Sequence, residues 1–473
     1  MRYKLLLLLF VLIGGCRVHQ VVKNPNPGIE IPSAFSTGES SKTGENRWWL
    51  RFNDPQLNRL IDMAMQGNLQ LRGAWARIEQ ARAMAKQAAA GWQPKITAKL
   101  GYARKHSVFY PGGRLGKLEQ TANNYNVDIG ASYEIDAWGR VASRKDAADL
   151  DTLAVRMDTE AMAMSMAAQV ALAWFKLREM TATRALLEHQ LEVNRTYLRL
   201  VRFRFDQGLG NLLDVLQEKQ QLAAIRAQLP NVDAGMELAK HQLAVLLGKP
   251  PTAQVAGQVQ GLPGLPHLPP TGVPADLLGQ RPDVRAARLR IVAVDHRLAA
   301  AIADWLPALS LNASTGFMAQ DITKLLQSWI WSLGASLFGT IWDGGRMLAE
   351  QQRLKARIKE LTARYGQVVL TAMKEVEDAL VQNRQQERYI KRLQEQLNAA
   401  KASLKTARER YSNGLIDYLP VLKALQGVQQ VERALIAAKA QALNLRVQLC
   451  RALGGTWTRG LRSPYRKQAK GDK

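Results

Sequence analysis

The sequence predicts a mainly α-helical chain with a membrane β component, built as a two-fold internal repeat of long coiled-coil helices that carries four strands. Three observations predict it: the chain aligns with itself, its helical stretches keep a heptad seam, and four short stretches alternate apolar with polar residues. The 473 residues are 47% hydrophobic and 22% charged, room for two or three ordinary domains or one large elongated body. Two cysteines, Cys16 and Cys450, exclude a disulfide scaffold and Cys-rich metal sites. No mature segment reaches the ~18–20 apolar residues of a spanning helix. Abundant, periodic Leu, Ala, Val and Ile argue against low-complexity disorder.

Residues 1–15 read as a signal peptide. Arg2 and Lys4 give a positive start, Leu5 to Ile13 is a nine-residue apolar run, and Gly14-Gly15 precede Cys16. Ile13-Gly14-Gly15-Cys16 resembles a bacterial lipobox, which implies that Cys16 is lipidated and becomes the mature first residue; the plainer alternative is an ordinary signal with an incidental cysteine. Arg17 follows, not the Asp that this resemblance associates with inner-membrane retention. One lipid anchors weakly alone, so further membrane attachment is expected beyond the extended segment 16–45.

The repeat is an offset of 206 residues, which places Gly139-Arg140 on Gly345-Arg346, Gly208-Leu209 on Gly414-Leu415, and Leu247-Gly248 on Leu453-Gly454. Upstream, Trp92-Gln93-Pro94 matches Trp305-Leu306-Pro307 at 213, so the first copy holds a connection seven residues longer. The copies run over about 46–248 and 275–455. Between them, 249–274 contains seven prolines and cannot hold a regular element. Residues 456–473 read as a basic disordered tail.

Each copy reads helix, strand, strand, helix, helix. Leu187, Leu191, Asn194, Leu198, Val201 and Phe205 recur at spacings of 4 and 3, and Leu393, Leu397, Ala400, Leu404, Ala407 and Tyr411 repeat them in the same phase. That is the seam of helices packed lengthwise. From Arg140 to Asp206 no proline interrupts, so one helix of about 67 residues would run roughly 100 Å. Shorter helices near 54–92 and 212–248 sum to a similar length. A rod or a tube needs such helices; a globule does not.

The strands are expected at about 95–103, 125–138, 308–317 and 329–342. Val127, Ile129, Ala131, Tyr133 and Ile135 alternate with Asp128, Gly130, Ser132 and Glu134, and Trp331, Leu333, Ala335 and Leu337 alternate with Ser332, Gly334 and Ser336. Segments of about ten residues with one apolar and one polar face match outer-membrane barrel strands, although a half-buried soluble sheet alternates likewise. Four strands cannot close a barrel, and open edges cannot face lipid. The chain must therefore assemble, giving 8, 12 or 16 strands by arithmetic alone.

Taken together these features resemble the TolC family of outer-membrane efflux factors, specifically the lipoprotein branch that serves RND-type pumps. The resemblance runs from Trp48-Trp49-Leu50-Arg51-Phe52-Asn53-Asp54-Pro55 to Leu453-Gly454-Gly455-Thr456-Trp457. It is most specific at Gly272-Val273-Pro274-Ala275-Asp276, Arg281-Pro282-Asp283-Val284-Arg285 and Trp342-Asp343-Gly344-Gly345-Arg346. It implies a homotrimer with a 12-stranded β-barrel on an α-helical barrel, and it implies partners: a periplasmic adaptor (membrane fusion) protein and an inner-membrane transporter of the RND class, with ABC or MFS transporters as alternatives. The implied location is the outer membrane, lipid-anchored, with a large periplasmic part.

The resemblance also marks sites. Arg204, Gly208, Leu209 and Arg410, Gly414, Leu415 look like the family's helix-tip motif, where adaptor hairpins dock. The plainer reading is a glycine ending each helix in αL conformation with a leucine covering it, and both can hold. Asp214, Arg410, Tyr411, Asp417 and Tyr418 are candidates for closing the periplasmic end; alternatively Asp214 and Asp417 only favour the starts of the following helices. The sequence departs from the family pattern at Pro420 and Lys423.

The formal charge of +25 reads mainly as solvated helix surface. Arg104, Lys105, Arg114 and Lys117, in the longer strand connection, are expected to face outward and meet anionic lipopolysaccharide, and no nucleic-acid reader motif is present. Six scattered histidines fit no metal spacing, Gly208-Leu209-Gly210 is no nucleotide loop, and Cys450 reads as a small buried side chain. No cofactor is expected. The function implied is a passive exit duct for drugs, metals or other small toxic compounds, not an enzyme. The outlet of a type I protein secretion system and a poreless lipid-anchored spacer are the alternatives.

Overall fold

In a computed structural model the expected strands pair into one antiparallel sheet. The structure describes residues 18–26, 28–36, 47–109, 118–255, 257 and 259–463, so the signal peptide, Cys16, Arg114, Lys117 and the end of the tail lie outside the described residues. The chain forms two compact units, one drawn from Met1–Gly28, Ile78–Val155 and Ala286–Tyr365, the other from Ile29–Arg77, Arg156–Arg285 and Gly366–Lys473. In chain order the elements are α1 (Pro55–Gly67), α2 (Leu69–Ala89), β1 (Lys95–Phe109), β2 (Leu118–Ile135), α3 (Arg140–Asp206) and α4 (Leu212–Leu246), then α5 (Pro282–Ala303), β3 (Ala308–Ala319), β4 (Trp329–Phe338), α6 (Arg346–Ser412) and α7 (Tyr418–Leu453). The fold class expected from the sequence, mainly helical with four strands and an internal repeat, is the one observed.

The first unit holds the sheet, in the order β1-β2-β3-β4. Its register aligns Leu100 with Val127, Val127 with Phe317, and Phe317 with Trp329, and likewise Tyr133 with Leu311 and Leu311 with Ala335. Paired residues share a face, so the alternating apolar positions of all four strands gather on one side. Thr97, Asp128, Ser132, Asn312, Ser314, Ser332 and Ser336 gather on the other. Among the described residues the apolar side is left uncovered: Leu100 is 82% and Leu333 75% exposed. On the polar side Gly316 crosses β2 so closely that an added Cβ would lie 2.2 Å from Val127 O.

β1 and β2 outrun expectation where they join each other, and β2 and β4 stop short of it where the long helices begin. β1 and β2 are 15 and 18 residues long, pairing out to Phe109 and Leu118. β3 pairs with β2 only as far as Tyr125, so beyond that point β1 and β2 form a two-stranded ribbon. Backbone bonds carry this ribbon after the apolar alternation ends, which is why pattern alone missed it. Conversely β4 ends at Phe338, leaving Ile341 and Trp342 exposed, because residues 339–345 turn into α6. Asp343 then accepts from the backbone N–H groups of Gly345 (3.1 Å) and Met347 (3.0 Å). β2 ends at Ile135 for the same reason: Asp136 accepts from Val141 (3.0 Å) and Ala142 (2.8 Å) at the start of α3. Arg104 and Lys105, expected in the strand connection, belong to β1 instead. Arg104 lies on the apolar side with Tyr102, whereas Lys105, one residue on, lies on the polar side.

The second unit packs Trp49, Leu57, Ile61, Trp174, Phe175, Leu243 and Val447 into its main core. The expected seams pack as heptads do: Leu187 and Leu191 meet Leu222, Ile225 and Val232, and Leu393 and Leu397 meet Val428, Val431 and Leu435. The expected helix 54–92 is divided at Asn68, whose side chain accepts from Leu71 N (3.0 Å) and donates to Leu246 O (2.8 Å). The expected disordered tail is corrected at its start. Trp457 lies edge-on to Trp49 with ring centroids 4.8 Å apart, and Thr458 is buried, because the core has an aromatic slot that a nearby Trp fills. Among the described residues, 249–273 contains no helix or strand.

Candidate functional site

The site lies at the two helix tips, α3–α4 and α6–α7, within the second unit. Gly208 (φ 70°) and Gly414 (φ 73°) end the long helices in left-handed conformation. Leu209 N donates to Arg204 O at 2.8 Å and Leu415 N to Arg410 O at 2.9 Å, while Gly208 N and Gly414 N donate to Phe205 O and Tyr411 O. These are Schellman closures. The covering leucines are a correction: Leu209 and Leu415 stand 68% and 66% exposed, because the turn directs them away from the helix pair. The first tip also exposes Phe203, Leu212, Leu213 and Leu216 within a few residues of Leu209.

Arg204 ties the tips together. Its Nη1 donates to Tyr411 O at 2.8 Å, and its guanidinium lies 4.4 Å over the Tyr411 ring. Tyr411 and Tyr418 meet edge-on at 5.5 Å, and with Val201, Val215, Val421 and Leu422 they form the tip core. Both tyrosines are buried, at 5% and 0% exposure, so any part they play in closure runs through the packing of the tips and not through facing a pore. Arg410 is exposed on the last turn of α6.

The aspartates divide. Asn211, not Asp214, caps α4 by accepting from Leu213 N at 3.0 Å. Asp214 is half-buried one turn later; burial raises its carboxyl, and the charge of Asp417 raises it further against a backbone bond from Asn211. Asp417 holds the cap position of α7 but is exposed and its side chain makes no cap hydrogen bond.

Sequence reasoning missed Glu218. It is fully buried, its Oε2 accepts from the Tyr418 hydroxyl at 2.6 Å, and its Oε1 has no hydrogen-bond partner. Burial pushes its carboxyl up to about 7 against the opposing bond from Tyr418. Glu218 interrupts an apolar seam of Val215, Leu222, Ile225 and Val232, a signal visible in the sequence. Further along the helices, buried Gln190 donates to Gln429 O (3.2 Å) and accepts from Arg433 (2.7 Å), and Gln221 donates to Gln429 Oε1 (3.1 Å). Among the described residues no group of His, Cys, Asp or Glu could hold a metal ion, and no helix is long and apolar enough to cross a membrane.

Known proteins match both the sequence and the fold. The family model described as outer membrane efflux protein matches residues 60–249 and 273–455. The pyoverdine export outer membrane protein OpmQ of Pseudomonas putida is 28% identical over 443 residues, covering 92% of this chain and 93% of its own length. Outer membrane protein OprJ of Pseudomonas aeruginosa is 30% identical, with 96% of each chain covered. The probable outer membrane lipoprotein SilC of Salmonella typhimurium is 26% identical, covering 94% of this chain and 97% of its own. The solved structure of the outer-membrane channel OprN superposes with a TM-score of 0.85 at 28% identity, over 94% of this chain and 100% of that one. The chain therefore belongs to the outer membrane efflux protein family and has the fold of an outer-membrane channel.

Proposed function

We propose that three copies of this chain close a twelve-stranded barrel in the outer membrane and serve as the passive exit duct of a tripartite efflux system. One observation carries the reading: the four-stranded sheet has a continuous apolar face and two open edges, β1 and β4. Unpaired backbone groups in lipid cost several kcal/mol each, so the edges need partners, and further copies supply them. Family membership supports three copies among the possible numbers. The duct carries no catalytic group; an inner-membrane transporter, RND-type by resemblance, supplies the energy. A relative named for pyoverdine export supports small-molecule cargo, and one named as a lipoprotein supports lipidation at Cys16.

The periplasmic adaptor docks on the tips through Arg204, Gly208, Leu209 and Arg410, Gly414, Leu415. The exposed leucines support this, since each tip offers apolar surface at a rigid, capped turn. Asp214, Arg410, Tyr411, Asp417 and Tyr418 hold the tips shut, and opening is a population shift driven by the adaptor. The test is crosslinking in intact cells through a cysteine at Leu209 or Leu415. Capture of a periplasmic adaptor, together with sensitisation of a deletion strain to exported compounds, is expected. No capture at either position and unchanged susceptibility in that strain would overturn the reading, and loss of a secreted protein instead would reassign the duct to secretion.

A further inference from the structure

The polar face of the sheet carries an unbalanced charge. Register places Lys95, Lys99 and Lys105 of β1 on that face, with Asp128 and Glu134 of β2. Each carboxylate is already engaged. Glu134 accepts two hydrogen bonds from Arg140, one from its Nε at 3.0 Å, and Asp128 sits directly across the strand pair from Lys99 and accepts from Asn126 at 3.0 Å. Lys95 and Lys105 stand opposite Ser132 and Ala122, and both are exposed. β3 and β4 bring no charged residue at all; on this face they place Ser310, Asn312, Ser314, Ser332 and Ser336 among uncharged neighbours such as Gly316, Met318 and Ile330. When copies close, β1 of one chain meets β4 of the next, so the seam supplies no carboxylate either.

We propose that this face makes the barrel lumen anion-selective, with Lys95 and Lys105 as its selectivity residues, and that the cargo class is small anionic molecules. The inference rests on the duct reading, which puts the apolar face to lipid and the polar face to the lumen. Repeated in each copy, Lys95 forms a cationic ring at one end of the four-stranded sheet and Lys105 a second ring on the two-stranded ribbon beyond its other end, at the mouth of the lumen. Rings of one sign along a pore raise the local concentration of anions and disfavour cations. The neutral remainder, hydroxyl and amide groups with Ser314 and Ser332 bonded to each other at 2.8 Å, adds no opposing field.

Full-length protein in planar bilayers under a KCl gradient tests this. Wild type is expected to prefer Cl⁻ over K⁺ by about two-fold or more. K95Q/K105Q abolishes the preference and K95E/K105E reverses it, while Arg104→Glu, on the lipid side, leaves the reversal potential unchanged. An unboiled-gel oligomer band confirms that each variant has assembled. Channels that conduct but prefer K⁺, or whose reversal potential ignores both lysine changes, overturn the inference and leave the duct standing. Absence of conductance both in assembled wild type and in assembled Arg204→Ala, whose tips are unlocked, overturns the duct reading and this inference with it.

Discussion

The Tyr418 hydroxyl donates its proton to Glu218 Oε2 at 2.6 Å, deep in the tip core, while the other carboxylate oxygen has no hydrogen-bond partner. The groups facing Glu218 are Tyr418 from α7 and Tyr197 from α3, with Asp214 one turn back on its own helix; Arg408 of α6 approaches Tyr197. No cation is among those facing groups, so ionising Glu218 there is costly.

The tips are accordingly predicted to loosen as pH rises. Glu218 has a carboxyl raised from 4.5 to about 7 in the folded chain. A raised acid is held by the protonated form, so its stabilisation is complete below the unfolded value and is lost as pH rises through about 7. Protection factors at residues 197–222 and 404–422, that is, exchange corrected for its intrinsic rise with pH, are expected to fall between about pH 4.5 and pH 7 in wild type and to level off above. In Glu218→Gln that pH step is expected to vanish.

Removing Arg204 should unlock the pair of tips without unfolding the helices. Arg204→Ala loses a charged hydrogen bond worth about 1.5–3 kcal/mol and the contact over the Tyr411 ring. Single-channel conductance is expected to rise, with the oligomer band unchanged. Unaltered conductance and unaltered exchange at Tyr411 would show that Arg204 holds nothing closed.

Gly316→Ala should block assembly, since the new Cβ would meet Val127 O at 2.2 Å and Asp128 Cα at 2.6 Å, both backbone atoms that cannot move aside. Gly130→Ala, whose Cβ would find Thr97 Oγ1 at 3.6 Å, is the matched control and should assemble. Heat-modifiable migration on gels distinguishes them.

Trp457→Ala is expected to destabilise the second unit by on the order of 2 kcal/mol, because it empties the place beside Trp49. A lower melting midpoint in detergent, with the oligomer retained, is the outcome to look for.

The sheet was readable in advance because a period of two survives single exceptions: Val127, Ile129, Ala131 and Tyr133 declare their face without any partner. The heptad seam of Leu187, Leu191 and Val201 was readable for a similar reason. The ribbon beyond Tyr102 was not, since Arg104-Lys105-His106-Ser107 has no apolar phase and is held by backbone pairing to residues 120–123. The Trp457–Trp49 pair joins residues far apart in sequence, which no local pattern encodes. At the tips, the glycine caps were plain, yet the exposure of Leu209 and Leu415 depends on where the neighbouring helices leave room. Glu218 was in view as the one charge in its seam, but only the opposing Tyr418 shows what it does.

The duplication is imperfect where it matters most. Glu218 of the first tip falls on Ala424 of the second, and Leu213-Asp214 on Leu419-Pro420. A ring of three chains thus ends in six points of two alternating kinds, threefold in chemistry though nearly sixfold in outline. A partner built from six equivalent grips would have to seat its subunits as unlike pairs, and acid or base would be felt at every other point.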